Sequence, residues 1–172
     1  MVSAAGSAAA QGGDALYELV DAATERLQTA DAVAASKWVN GGPITDPVRA
    51  QQVLAAVSVD AQSSGVPTDY VTELFTDQIN ATEAIQYSRF SWWKLNPSAG
   101  PTAAPDLAAS RAQIDRLNRR MVGEIAQQWP VLQSADCPAA LDTAKSAVIG
   151  ARGLDPFYRQ ALDAATRSYC QS

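Results

Sequence analysis

The chain has 172 residues, 47% of them hydrophobic and 18% charged, with a net charge of −5 and a pI near 4.6. That is length enough for one domain with a real core, and the acidity argues against a nucleic-acid or anionic-membrane partner. There is no histidine, which removes histidine acid–base chemistry, His-dependent Ser or Cys catalysis and most zinc sites.

Residues 1–13, MVSAAGSAAAQGG, are mostly small. They lack the basic and long apolar regions of an intact export signal but look like the small-residue end of one. They read either as the flexible lead of a processed, exported chain or as a featureless terminus. The domain proper spans 14–172. No apolar run in it approaches the roughly 20 residues of a membrane-spanning helix.

From Asp14 the pattern predicts one long helix with Leu16, Leu19, Val20, Ala23, Leu27, Ala30, Ala34 and Trp38 as its buried stripe. Lys37 follows Arg26 by eleven residues. At 100° per residue, eleven steps return to within about 20° of the start, so both cations project from one side. Either cation alone reads as a stem snorkelling to water; two on one face suggest more. Gly41-Gly42-Pro43 breaks the helix, and Asp46-Pro47 restarts it as N-cap and first-turn proline. Arg49 falls in that first turn, where the helix N-terminus is already partly positive. Asp46, three residues earlier, is placed to cap the helix and to orient Arg49.

Gly65 marks the end of this second helix, and Thr68 is a plausible N-cap for a third that runs to Asn96-Pro97. Its stripe of Val71, Leu74, Phe75, Ile79, Ile85, Phe90 and Trp93 is interrupted by Thr82 and Gln86, four apart and therefore on one face. A buried hydroxyl or carboxamide left unpaired costs about 1–3 kcal/mol, so something polar must face this helix from inside the bundle. The linker from Pro97 to Pro105 should hold no helix. Asp106 caps a fourth helix whose inner stripe (Leu107, Ile114, Leu117, Met121, Ile125) also contains Arg111. Pro138 opens a fifth helix and Asp155-Pro156 a sixth.

The expected fold is all-α: about six helices, packed as a four-helix core with a two-helix extension. Cys137 and Cys170 are the only cysteines and flank the last two helices. An antiparallel hairpin would bring them together as a disulfide, which implies an oxidising compartment; two unrelated buried thiols is the other reading. Asn80-Ala81-Thr82 matches a glycosylation sequon but lies mid-helix, and Trp92-Trp93 reads as packing at a helix end or as an interface.

Arg26, Lys37, Arg49 and Arg111 thus sit near apolar stripes, opposite a helix carrying Thr82 and Gln86. Inward cations repel one another unless an anion fills the space between them. A small ligand with two carboxylates and one further acceptor oxygen would satisfy the set, since arginine suits carboxylates and a carboxamide can donate. A secreted helical module that binds a dicarboxylate or a protein partner without catalysis would share these features.

The segments ELVDAATERL, ADAVAASKW, DQINATEAIQYSRFSWWKLNP, DLAASR and the terminal SYCQ, with the Asp46–Arg49 spacing, resemble the all-helical AroQ class of chorismate mutases, most closely its exported gamma subclass. The resemblance runs from about Asp14 to the C-terminus. It implies an isomerase of aromatic amino acid biosynthesis that rearranges chorismate to prephenate without metal or cofactor, in a dimer whose pockets each lie within one chain. It further implies that Arg26, Arg49 and Arg111 hold the substrate's carboxylates. Lys37 would contact a carboxylate and the ether oxygen, with Gln86 on the other side of that oxygen. Thr82 would line the pocket, and Asp46 would bind the ring hydroxyl or order Arg49. Relatives in the subclass can carry glutamate at the Gln86 position. A glutamate must be protonated to donate to the ether oxygen; a carboxamide donates at any pH.

Overall fold

The computed structural model describes residues 15–171. The lead at 1–13 and the helix start at Asp14 lie outside the described residues. Within them the regular structure is helical: α1 (Tyr17–Gln28), α2 (Ala30–Asn40), α3 (Pro47–Ser64), α4 (Thr68–Leu95), α5 (Leu107–Gln127), α6 (Trp129–Leu132), α7 (Cys137–Arg152) and α8 (Pro156–Ala165).

The expected first helix arrives in two segments. Thr29 stays in the right-handed helical region, but its N–H goes to the Arg26 carbonyl at 3.2 Å and its hydroxyl donates to the same oxygen at 2.7 Å. A threonine hydroxyl competing for a backbone carbonyl tightens the turn without ending the helical path. Gly41, at φ 74°, then stops α2, because a left-handed residue without Cβ strain suits that position.

The remaining boundaries follow their caps. Asp46 accepts the Arg49 N–H at 3.0 Å with Pro47 in the first turn; Gly65 ends α3 at φ 73°. Asp106 accepts from Ala108 and Ala109, and Asp155 accepts from Tyr158 at 2.8 Å. Thr68 is a correction: it does not cap α4, because extended Pro67 already makes the turn and leaves Thr68 as the first helical residue. The linker is a second one, since Pro97–Ala99 closes a short 3-10 turn. The four-residue α6 was not anticipated either.

Helix α4, 28 residues long and so about 42 Å, is the spine. Against it pack α2, α3 and α8, while α1 packs on α5 and α7, and α3 on α5. Leu19, Val20 and Leu27 of α1, Val71, Leu74, Phe75 and Ile85 of α4, and Met121 and Ile125 of α5 belong to one continuous core. At the far end of α4, Trp38 meets Phe90 and Trp93 edge to face, at 5.2 and 5.5 Å. Trp92 beside them is exposed.

The C-terminal pair forms a disulfide-linked helical hairpin. Cys137 at the start of α7 is bonded to Cys170 beyond α8, with Cα atoms 5.6 Å apart. Lys145 of α7 and Asp163 of α8 add an ion pair at 2.6 Å. Among the described residues, no helix is long and apolar enough to cross a membrane.

Candidate active site

Between α1, α2, α3, α4 and α5 lies a cavity of about 580 Å³ including its open mouth. Arg26, Lys37, Asp46, Arg49, Thr82, Gln86 and Arg111 all line it. Every residue singled out in the sequence for this pocket therefore reaches one space, and one chain supplies all of them.

Arg26 is the deepest cation, with only 3% of its surface exposed. Its Nε donates to Asn118 Oδ1 at 2.7 Å and its Nη1 to Thr82 Oγ1 at 3.3 Å. Behind it, the Phe75 ring centre lies 6.0 Å from the guanidinium carbon. Burial above all, then repulsion from Arg49, pushes its pKa down to about 10, so it remains charged at neutral pH. The Thr82 hydroxyl donates to the Gln78 carbonyl at 2.7 Å. The polar group expected to face Thr82 is thus Arg26.

Lys37 is also buried, and its Nζ donates to the Ile44 carbonyl at 2.7 Å. That carbonyl sits in the Gly41–Asp46 connection, which folds back over the pocket. Burial lowers the lysine pKa; Asp46 opposes the shift and Arg111 adds to it. Gln86 is buried as well, and its Oε1 is fully enclosed without a hydrogen-bond partner among the described residues. Of the two ends of the carboxamide, only the amino end can donate.

The two outer arginines are held by carboxylates, though not as the sequence suggested. Asp46 takes the backbone N–H of Arg49, but the Arg49 guanidinium turns away to Asp115 at 2.6 Å. The second oxygen of Asp46 instead receives Arg111 at 3.1 Å. One oxygen of Asp46 is already taken by the Arg49 N–H, and α5, packed on α3, brings both Asp115 and Arg111 within reach of these groups. Glu83 also lines the pocket and accepts from Thr45 at 3.3 Å, while Thr45 shares a 2.6 Å hydrogen bond with Tyr87.

Sequence reasoning missed Asp115, Asn118 and Glu83. A signal existed for the first two: they follow Arg111 by four and seven residues, which places them on its face of the helix.

The charge balance decides what the cavity accepts. Four cations against the carboxylates of Asp46 and Glu83 leave the lining with two positive charges. Among the described residues, Arg26 and Lys37 have no carboxylate within ion-pair distance, whereas Arg49 and Arg111 each have one. Two buried, unneutralised cations are costly without counter-charge. Fold and site together define a helical protein with a net-positive pocket suited to a small anion.

Comparison with known proteins agrees. Residues 17–87 match the family model of chorismate mutase type II. The chain is 56% identical over 156 residues to the secreted chorismate mutase of Mycolicibacterium smegmatis, covering 91% of this chain and 86% of that one. It is 53% identical over 165 residues to that of Mycobacterium tuberculosis, covering 96% and 83%. Among solved structures, the chorismate mutase of Burkholderia phymatum superposes with a TM-score of 0.88 at 32% identity, covering 94% of this chain and 99% of that one. The chain belongs to the chorismate mutases of type II.

Proposed function

We propose that this pocket binds chorismate in its compact conformer, with the enolpyruvyl group folded over the ring, and holds it until it rearranges to prephenate. The observation that carries this reading is the pair of buried cations without carboxylates, Arg26 and Lys37, beside the donor-capable Gln86. Chorismate brings two carboxylates, which match the two uncompensated charges.

Arg26, Arg49 and Arg111 take the carboxylates, since guanidinium forks bind them with directional, charge-assisted hydrogen bonds. Lys37 reaches a carboxylate and the ether oxygen, and the Gln86 amide donates to that oxygen from the other side. Thr82 holds Arg26 in place. Asp46 fixes Arg111 and meets the ring hydroxyl.

A [3,3] rearrangement breaks the ether C–O bond and forms a C–C bond within one molecule, and no proton moves. A nucleophile, a general base and a histidine are all dispensable. What the protein must do is select the reactive conformer and oppose negative charge growing on the ether oxygen. An acceleration of about 10⁶-fold corresponds to about 8 kcal/mol. One well-aimed donor supplies about 3 kcal/mol of this; conformer selection and the remaining cations supply the rest.

The enzyme is an exported isomerase: the disulfide fits an oxidising compartment, and both mycobacterial relatives are secreted chorismate mutases. We further infer that residues 14–172 are the catalytic domain, preceded by a lead at 1–13. We also infer that it works as a homodimer of 18.1 kDa chains with one self-sufficient pocket in each; a monomeric mass in sedimentation would refute that. The deciding test of function is loss of chorismate's ultraviolet absorbance on mixing. Arg49→Ala should abolish turnover while leaving the helical circular dichroism unchanged; turnover at the wild-type rate would overturn the site assignment.

A further inference from the structure

Three guanidinium groups line the pocket, and they are not held alike. The outer two rest on carboxylates, Arg49 on Asp115 and Arg111 on Asp46. The innermost, Arg26, rests on an amide. Asn118 is itself only 4% exposed and reaches across from α5, spanning 92 residues of sequence to do so. Among the described residues Asp115 is the carboxylate that acts on Arg26, and Arg49 already occupies it at 2.6 Å.

We propose that Asn118 is the positioning residue for Arg26, and that its neutrality is what keeps the deepest charge available to the substrate. The argument rests on the reading that Arg26 binds a chorismate carboxylate. An amide oxygen aims the guanidinium through Nε as well as a carboxylate would, but it does not cancel the charge. A carboxylate there would form a buried ion pair, fill the coulombic need of Arg26 before substrate arrives, and repel the incoming dianion. The outer arginines, more open to water, keep carboxylate partners that a charged ligand displaces or shares with little cost. Attraction thereby rises with depth.

Asn118→Asp separates this role from a purely structural one, because it preserves size and the hydrogen bond to Arg26. A structural role predicts an unchanged KM. Positioning by a neutral group predicts a KM raised about 10- to 100-fold, the size expected for losing one charge-assisted contact. The turnover number should change far less, because the carboxylate is bound in ground and transition state alike. The melting temperature should rise, since a buried cation gains a counter-charge. A wild-type KM in folded Asn118→Asp overturns the proposal.

If that variant does not fold, Asn118→Ala decides. It frees Arg26 to swing, so kcat/KM falls at least tenfold in protein with native circular dichroism; wild-type kcat/KM overturns the proposal. Arg26→Ala, run alongside, distinguishes the two levels. A raised KM in Arg26→Ala with none in Asn118→Asp defeats the inference alone. An unchanged KM in Arg26→Ala defeats both it and the assignment of Arg26 to the substrate.

Discussion

Replacing Gln86 with glutamate tests the proposal that its amide donates to the ether oxygen. The site is closed: the residue is 4% exposed and its Oε1 is fully enclosed. An introduced carboxyl must be protonated to donate, so activity should follow its protonated fraction. Each pH unit above its pKa then removes about tenfold in rate. The fall stops where the donor's whole contribution is gone, about 10²–10³-fold for one such hydrogen bond. Two opposing influences set the midpoint. Burial lifts the pKa above the ordinary glutamate value of about 4.3, while cations in the lining, Arg26 and Lys37 among them, pull it down. A bound dianion neutralises those cations, so the midpoint should be higher in the substrate complex than in free enzyme. The assay is chorismate loss from pH 4.5 to 8.5, analysed for kcat and kcat/KM separately. Gln86→Glu should show both falling with rising pH, with the kcat midpoint at higher pH than that of kcat/KM. Wild type should show neither fall, because an amide does not titrate. A flat Gln86→Glu profile, or the same decline in wild type, would refute the reasoning.

Other perturbations separate stability from catalysis. Lys37→Met should lower kcat by about 10²–10³-fold yet unfold at a temperature no lower than wild type, because burial already works against this ammonium; a large loss of thermal stability would contradict this. Asp46→Ala removes a helix cap, costing about 1–2 kcal/mol, and releases Arg111. Asp46→Ser should restore the melting temperature but not the KM, and recovery of both would show that the ion pair to Arg111 does not matter. Reducing the Cys137–Cys170 bridge, which spans 33 positions, should cost about 4 kcal/mol by loop entropy. At about 2–4 °C per kcal/mol for a domain of this size, the melting point should drop by about 8–16 °C. Neither cysteine lines the pocket, so turnover of the folded enzyme at 25 °C should be retained; an unchanged melting point would contradict the loop argument.

How much of this was legible in the sequence depends on the range of each interaction. Periodicity placed Arg26, Lys37, Thr82, Gln86 and Arg111 toward one interior because helical spacing is a local property. The caps at Asp46, Asp106 and Asp155 were legible for the same reason. The split at Thr29 was not, because a threonine hydroxyl has a choice of backbone partners, and here it took the Arg26 carbonyl. The carboxylate partners were misjudged wherever a local candidate competed with a distant one. Asp46 lies three residues from Arg49, yet its guanidinium partner is Arg111, 65 residues away. Only the crossing of α3 and α5 decides that exchange.

Under the proposed function these cations converge on a folded dianion, and Lys37 and Gln86 flank its ether oxygen. The most direct measurement is a crystal structure with a stable bicyclic dicarboxylate ether shaped like the rearranging substrate. Its carboxylates should lie on the arginines, and its ether oxygen within hydrogen-bond reach of Lys37 Nζ and Gln86 Nε2. A ligand seated elsewhere, or one whose ether oxygen meets neither side chain, would contradict it.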